Sequence, residues 1–260
     1  GYMNTVVSLL LLIVCSSFKN TSDYAIAYYL LSNISHICDV SRTDVCENAG
    51  VSSRVLSMFC SMLGYKNYSD LKLALIKTID IRKLQMKVHF NNIDPDKIIH
   101  AIHALSNADM DDTRFTQTID QINTYIYDSK KVIIVGAVYP EMLSLHYMED
   151  MLMMGKLIHS SPVNTSIGEV ENDTLVLMIS FTGRVYIEHY DEIMKFKEHN
   201  VSIVGIGNPN SVPEQIHLTK FLELPFKGDT EIENACIPLV LQYMKYRYYK
   251  TYGDTKYVRL

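Results

Sequence analysis

Four short runs rich in β-branched and aliphatic residues recur in the second half of the sequence: Val132–Val135, Thr174–Ile179, Val201–Ile206 and Phe221–Leu224. Stretches long enough for a helix separate them. Strands alternating with helices imply parallel strands joined by crossover helices. The runs do not alternate apolar with polar residues, which is the pattern of strands covered on both faces. This half is therefore expected to be an α/β domain around a parallel sheet. Amphipathic helices are expected before the first strand, near 96–106 and 113–127, and a tyrosine-rich helix after the last strand, from about Thr230.

The first 80 residues have a different rhythm, helical throughout with short polar breaks. Ser22 is placed to cap a helix carrying Ala25, Ile26, Tyr29 and Leu30 at three- and four-residue spacing. Ser41 and Asp44 form a capping-box pair opening a short helix through Val45, Cys46 and Ala49, which Gly50 stops. Ser52 caps a second short helix with Val55, Leu56, Phe59 and Leu63 on one face, ended by Gly64. Ser69 is read as the start of the next, through Leu71, Leu75 and Ile79. Two short helices joined by Ala49-Gly50-Val51-Ser52 have the sequence form of a helix-turn-helix. The charged, mixed stretch 80–95, ending Asp94-Pro95, reads as an interdomain connection, with an extension of the preceding helix into it as the alternative.

Composition narrows the class. The chain has 260 residues, 48% apolar and 20% charged, the balance of a globular protein with room for two cores. A net charge of -5 excludes a uniformly basic protein and leaves a local basic face possible. The five cysteines show no C-x-x-C pair and are read as reduced thiols, mostly packed as small hydrophobes. No His/Cys cluster has zinc spacing, so neither metal nor cofactor is expected. The apolar run Val6–Cys15 is too short for a bilayer, which needs about 20 residues. It has no preceding Lys or Arg, and Val14 stands where a lipoprotein signal takes a small residue. A buried first helix of a cytoplasmic protein is expected, without membrane contact.

At this point the residues carry a family resemblance. Ala27-Tyr28-Tyr29-Leu30-Leu31-Ser32-Asn33, Ser41-Arg42-Thr43-Asp44-Val45, Ala49-Gly50-Val51-Ser52 and Phe59-Cys60-Ser61-Met62-Leu63-Gly64-Tyr65 through Lys72 resemble the amino-terminal domain of the MurR/RpiR transcription regulators. The second half resembles the sugar isomerase (SIS) domain that those regulators carry. Lys131-Val132-Ile133-Ile134-Val135-Gly136 is similar to its first strand and turn, and Ile179-Ser180-Phe181-Thr182-Gly183-Arg184 to its phosphate loop. The resemblance implies an all-α helix-turn-helix DNA-binding domain at 1–79, a linker at 80–95 and a three-layer α/β/α SIS domain at 96–260. It implies a double-stranded DNA operator, a phosphorylated sugar or amino sugar as effector, and a homodimer or homotetramer built largely through the SIS domain.

The same resemblance directs attention to particular side chains. The second helix of such a motif enters the major groove, with its first turns facing base edges. Ser52, Ser53, Arg54 and Ser57 are the candidates; Arg54 can fork onto guanine, and the serines can meet phosphates or base edges. The family's basic positions around the Phe and Cys are here Met58, Ser61 and Met62. The first 78 residues carry six basic against five acidic side chains, so few phosphates are neutralised and weak or dimer-dependent DNA binding is expected. For the effector, Gly136, Ser180, Thr182 and Gly183 are the candidates, since hydroxyls and backbone N–H groups at a helix N-terminus attract anions. Departures from the family are Val138 and Pro140 in the first turn, which lose a close approach and a donor, and Val185 in place of a hydroxyl. No catalytic residue is expected. An isomerase would need a base and a ring-opening acid, for which Glu141, His146, Glu149, Glu169 and His189 are available by type alone. A degenerate SIS scaffold without ligand is the other alternative.

Overall fold

The computed structural model describes residues 5–16, 20–106, 110–136, 144–161, 167, 170–224 and 230–253. Helices α1 (Thr5–Ser16), α2 (Ser22–Ser32), α3 (Arg42–Ala49), α4 (Ser53–Met62), α5 (Tyr68–Asn92), α6 (Pro95–Ser106) and α7 (Asp112–Asp128) precede the first strand. Then come β1 (Lys131–Gly136), α8 (Leu145–Met153), β2 (Ile158–Ser161), β3 (Thr174–Ser180), α9 (Arg184–Glu188), α10 (Tyr190–Lys195), β4 (Val201–Gly207), β5 (Lys220–Glu223), α11 (Thr230–Asn234) and α12 (Cys236–Tyr248). The chain divides into two compact units. Among the described residues, the first runs to Asn92 and includes Met148–Leu157; the second comprises Ile93–Tyr147 and Ile158 to Gly253.

The first unit is all helical. The apolar run near the amino end forms α1, and Val6, Val7, Leu10, Leu11 and Val14 are buried at three- and four-residue spacing against α2 and α5. No helix among the described residues is long and apolar enough to cross a membrane. Thr21, not Ser22, caps α2, its hydroxyl accepting the Tyr24 N–H; Ser22 is the first helical residue. Likewise Asn67 Oδ1 takes the Asp70 N–H at 2.9 Å, so α5 starts one residue before Ser69. The stretch 80–92 continues α5: Thr78, Ile79, Lys83, Met86 and Phe90 stay buried on one side, and this periodicity carries the helix to Asn92. Between α5 and α6 only residues 93 and 94 are non-helical. Arg82 of α5 reaches Glu149 at 2.9 Å and Asp150 at 3.2 Å, and the Ser8 hydroxyl also donates to Glu149. Both carboxylates are buried. That cluster ties α1, α5 and the Met148–Leu157 segment together. Of the cysteines, Cys60 and Cys236 are buried, Cys15 and Cys46 are half-buried, and Cys38 is exposed, so only two pack as core residues.

The second unit is an α/β domain with five parallel strands in the order β2-β1-β3-β4-β5. All four runs expected as strands form them. The fifth, β2, was not legible, because His159, Ser160 and Ser161 give it no β-rich signature. Ile133, Val135, Val176, Met178 and Ile203 pack on one face with Val185 and Tyr186 of α9 and Ile193 of α10. On the other face Val132, Ile134, Leu175, Leu177 and Ile179 are equally buried. There α7 packs along β5, and α12 packs against α6 and α7.

Candidate functional site

Two places in the fold gather the residues singled out by sequence, one in each unit. In the first unit, α3 and α4 are joined by Gly50-Val51-Ser52. Gly50 adopts left-handed backbone, φ 66°, and the Val51 N–H returns to Cys46 O at 3.0 Å, which closes α3 and turns the chain sharply. Ser41 and Asp44 form the expected capping box; hydrogen bonding from the Ser41 backbone, then its side chain, holds the Asp44 carboxyl below its ordinary range. Ser52 Oγ accepts the Val55 N–H at 3.2 Å and caps α4. Leu56, Phe59 and Cys60 point into the core, and burial pushes the Cys60 thiol up. The Tyr68 hydroxyl donates to Val40 O at 2.7 Å beneath the motif, tying α5 to the chain entering α3.

Arg54 is exposed on the outer side of α4, as are Ser52 and Ser53. Ser53 and Ser57, however, are tied to a partner that sequence reasoning missed. The Arg42 guanidinium of α3 donates to Ser53 Oγ (Nε 3.0 Å, Nη2 2.8 Å), to Ser53 O at 2.6 Å and to Ser57 Oγ at 2.5 Å. It clamps the first turns of α4 onto α3. Position 42 lies eleven residues before Ser53, so only the turn at Gly50 brings them together.

In the second unit the candidates meet at the carboxyl ends of β1 and β3. The strand order reverses there: β2 lies on one side of β1, and β3, β4 and β5 lie on the other. Connections leaving β1 and β3 at such a switch point diverge and leave a crevice, the usual ligand position in open parallel sheets. Gly136 ends β1, buried and in register with Ile179; Ser180 follows, in register with Gly207. The turn after Gly136 lies outside the described residues, and with it Val138, Pro140 and Glu141.

After β3, Ser180 Oγ accepts the Gly183 N–H at 2.8 Å, which curls the loop. A hydroxyl that accepts one bond still has its own proton to donate. Thr182 is exposed, its Oγ1 3.5 Å from the Arg184 N–H. Gly183, not Thr182, is the residue before the helix, at φ 79°. A Cβ on Gly183 would lie 2.3 Å from Ser211 O, so the absent side chain accommodates the turn after β4. That turn is a second feature missed from sequence: Asn208 N–H approaches Ser180 O at 3.4 Å, and the Ser211 hydroxyl donates to Asn208 O at 2.7 Å. Val185 is in the core.

The acid-base candidates among the described residues are engaged elsewhere. His146 Nδ1 lies 3.0 Å from Lys245 Nζ, and Glu149 is held by Arg82 and Ser8. His189 is buried, with Nδ1 3.0 Å from Glu192 Oε1, and the other Glu192 oxygen accepts the Ile167 N–H. Glu169 lies outside the described residues.

Residues 13–81 match the helix-turn-helix domain of the rpiR family. No curated protein matches the chain. Among solved structures, the Vibrio vulnificus NanR protein complexed with ManNAc-6P is 16% identical, with 94% of this chain and 93% of that chain covered and a TM-score of 0.44. The sugar isomerase domain of an RpiR transcription factor from Sphaerobacter thermophilus is 12% identical, covering 61% of this chain and 89% of its own, with a TM-score of 0.45. The phosphoheptose isomerase GmhA from Neisseria gonorrhoeae is 12% identical, with 62% of this chain and 96% of that chain covered and a TM-score of 0.41. The helical amino-terminal part of this chain, at residues 13–81, is an rpiR-family helix-turn-helix domain.

Proposed function

We propose that the chain is a DNA-binding transcription regulator whose α/β domain senses a phosphorylated sugar or amino sugar. The helix-turn-helix domain at 13–81 supports the first half: α4 offers an exposed Arg54 to base edges, and Arg42 fixes the angle at which α4 leaves α3. Ser52 and Ser53, at the start of that helix, meet the phosphate backbone, with Ser57 supporting them through Arg42. The observation that carries the second half is the meeting of Gly136 with the Ser180–Gly183 loop at the switch point of the sheet. There the Ser180 and Thr182 hydroxyls and the backbone N–H groups of the loop receive the phosphate. The regulator acts in the cytoplasm, on an operator, as a homodimer or homotetramer. The engagement of His146, Glu149 and His189 by neighbouring side chains favours sensing over turnover.

A second reading, a scaffold without ligand, is favoured by one feature: Gly183 is packed on Ser211 rather than open to a ligand. One screen separates the two. The melting temperature of the full chain is measured against a panel of sugar phosphates and amino-sugar phosphates. Sensing predicts a rise of several degrees with at least one member, abolished in Ser180→Ala/Thr182→Ala. Silence across the panel leaves the scaffold, and turnover of any aldose or ketose phosphate in it would reinstate an isomerase.

A further inference from the structure

The outer side of α4 is apolar where it leaves Arg54. Met58 and Met62 are 61% and 57% exposed, and the helix, Ser53–Met62, contains no carboxylate and a single cation. At 3.6 residues per turn, Arg54, Met58, Ser61 and Met62 share one side of the helix, opposite the buried Leu56, Phe59 and Cys60. Two large thioethers held in water on adjacent turns lose the stabilisation that burial would give them, so a partner that covers them gains it. On the reading of α4 as the groove-entering helix, that partner is the major groove. The one apolar group that base pairs present there is the 5-methyl of thymine.

We propose that Met58, flanked by Met62, reads thymine methyl groups beside the base contacted by Arg54. The rise from Arg54 to Met58 is about 6 Å along the helix axis, close to two base-pair steps. The thymine therefore lies one or two base pairs from the Arg54 contact. An unbranched thioether suits this task, because its three rotatable bonds let sulfur and terminal methyl follow a methyl group in a curved groove. The substitution of apolar for basic side chains on this helix also shifts recognition from charge to shape, in keeping with the near-neutral balance of the first 78 residues.

The test rests on the proposed DNA binding and separates its failure from that of this inference. Full-length protein selects from a random duplex pool at low salt, and the enriched duplex is resynthesised with deoxyuridine replacing each thymidine in turn. That change deletes one methyl and leaves every hydrogen-bonding group in place. Wild type loses about fourfold in affinity at one or two of these positions, the value of one buried methyl-sized group. Met58→Ala and the isosteric but polar Met58→Gln bind more weakly and no longer distinguish thymine from uracil, whereas Arg54→Ala keeps that discrimination. Enriched duplexes that wild type binds equally with uracil at every position overturn the methyl reading while leaving the regulator intact. Failure to enrich any duplex overturns both. If Met58→Gln instead alters the oligomeric state in light scattering and leaves uracil sensitivity unchanged, the stripe is a protein contact and the inference falls.

Discussion

Gly50 and Gly183 both adopt left-handed backbone, at φ 66° and 79°, but for different physical reasons. At Gly50 nothing lies within 4 Å of where a Cβ would stand, so only the backbone conformation excludes a side chain; at Gly183, Ser211 O would lie 2.3 Å away. Gly50→Ala should therefore cost about 1 kcal/mol, the strain of a left-handed alanine. Gly183→Ala carries the same strain and must also push the Ser180–Gly183 loop off the turn after β4, for a total of about 3 kcal/mol. Urea denaturation of the two variants measures the difference; equal losses would mean that the Ser211 contact yields freely. The Gly183 side of the pair shows what sequence could and could not reveal of the candidate site. Ser180, Thr182 and Gly183 stood out because hydroxyls and a glycine follow a strand, a local pattern. Ser211 and Arg42 did not, because their contacts exist only once the chain has turned back on itself.

Periodicity made the elements legible wherever each was long or fully buried. The three inner strands and the edge strand β5, both helices of the helix-turn-helix and the Ser41–Asp44 capping box all follow from local spacing and cap chemistry. Local signals failed at β2, whose polar residues are carried by pairing with β1, and at the break at His189 between α9 and α10; at residues 80–92 they left connection and helix both open, because charge overlies the helical repeat. The last matters energetically, since that part of α5 carries Arg82 to Glu149 and Asp150. The Arg82 side chain is only 18% exposed, and its two acidic partners less. Removing the cation takes the Arg82 charge away from two buried carboxylates, so Arg82→Met should cost about 3 kcal/mol, near the lower end for a buried pair because the arginine still touches water. Glu149→Gln/Asp150→Asn in the same chain should recover most of that loss, since neutral amides need no counter-charge. A loss below about 0.5 kcal/mol for Arg82→Met in chemical denaturation would place this cluster among exposed ion pairs.

At the scale of the molecule, each unit hides tyrosine hydroxyls that water would otherwise reach. In the second unit Tyr147, Tyr186 and Tyr248 are buried with hydroxyls that make no hydrogen bond among the described residues. Burial raises the ionisation of all three well above the ordinary value of 10.0, with Tyr248 adding to the effect at Tyr147 and Tyr252 at Tyr248. Tyr68 in the first unit is raised for the same reason. In the unfolded chain these groups lose their protons near pH 10, whereas in the folded chain they keep them. Above pH 10 the unfolded state therefore binds fewer protons, and stability falls as pH rises. Below pH 10 both states are protonated and the tyrosines impose no pH dependence. Three such groups in one unit give a slope of about 4 kcal/mol per pH unit, enough to exhaust a typical domain's stability within one to three units. Absorbance at 295 nm, which reports tyrosinate, should then show these buried hydroxyls still protonated above pH 10. A delayed fraction should appear only as helical circular dichroism collapses. Tyr147→Phe and Tyr248→Phe remove an ionisable group without exposing a lost partner, so each should move that collapse to higher pH. Smooth titration of every tyrosine with the helices still intact would show that water reaches these hydroxyls in the folded chain, and the packing of α12 in the second unit would have to be looser than described.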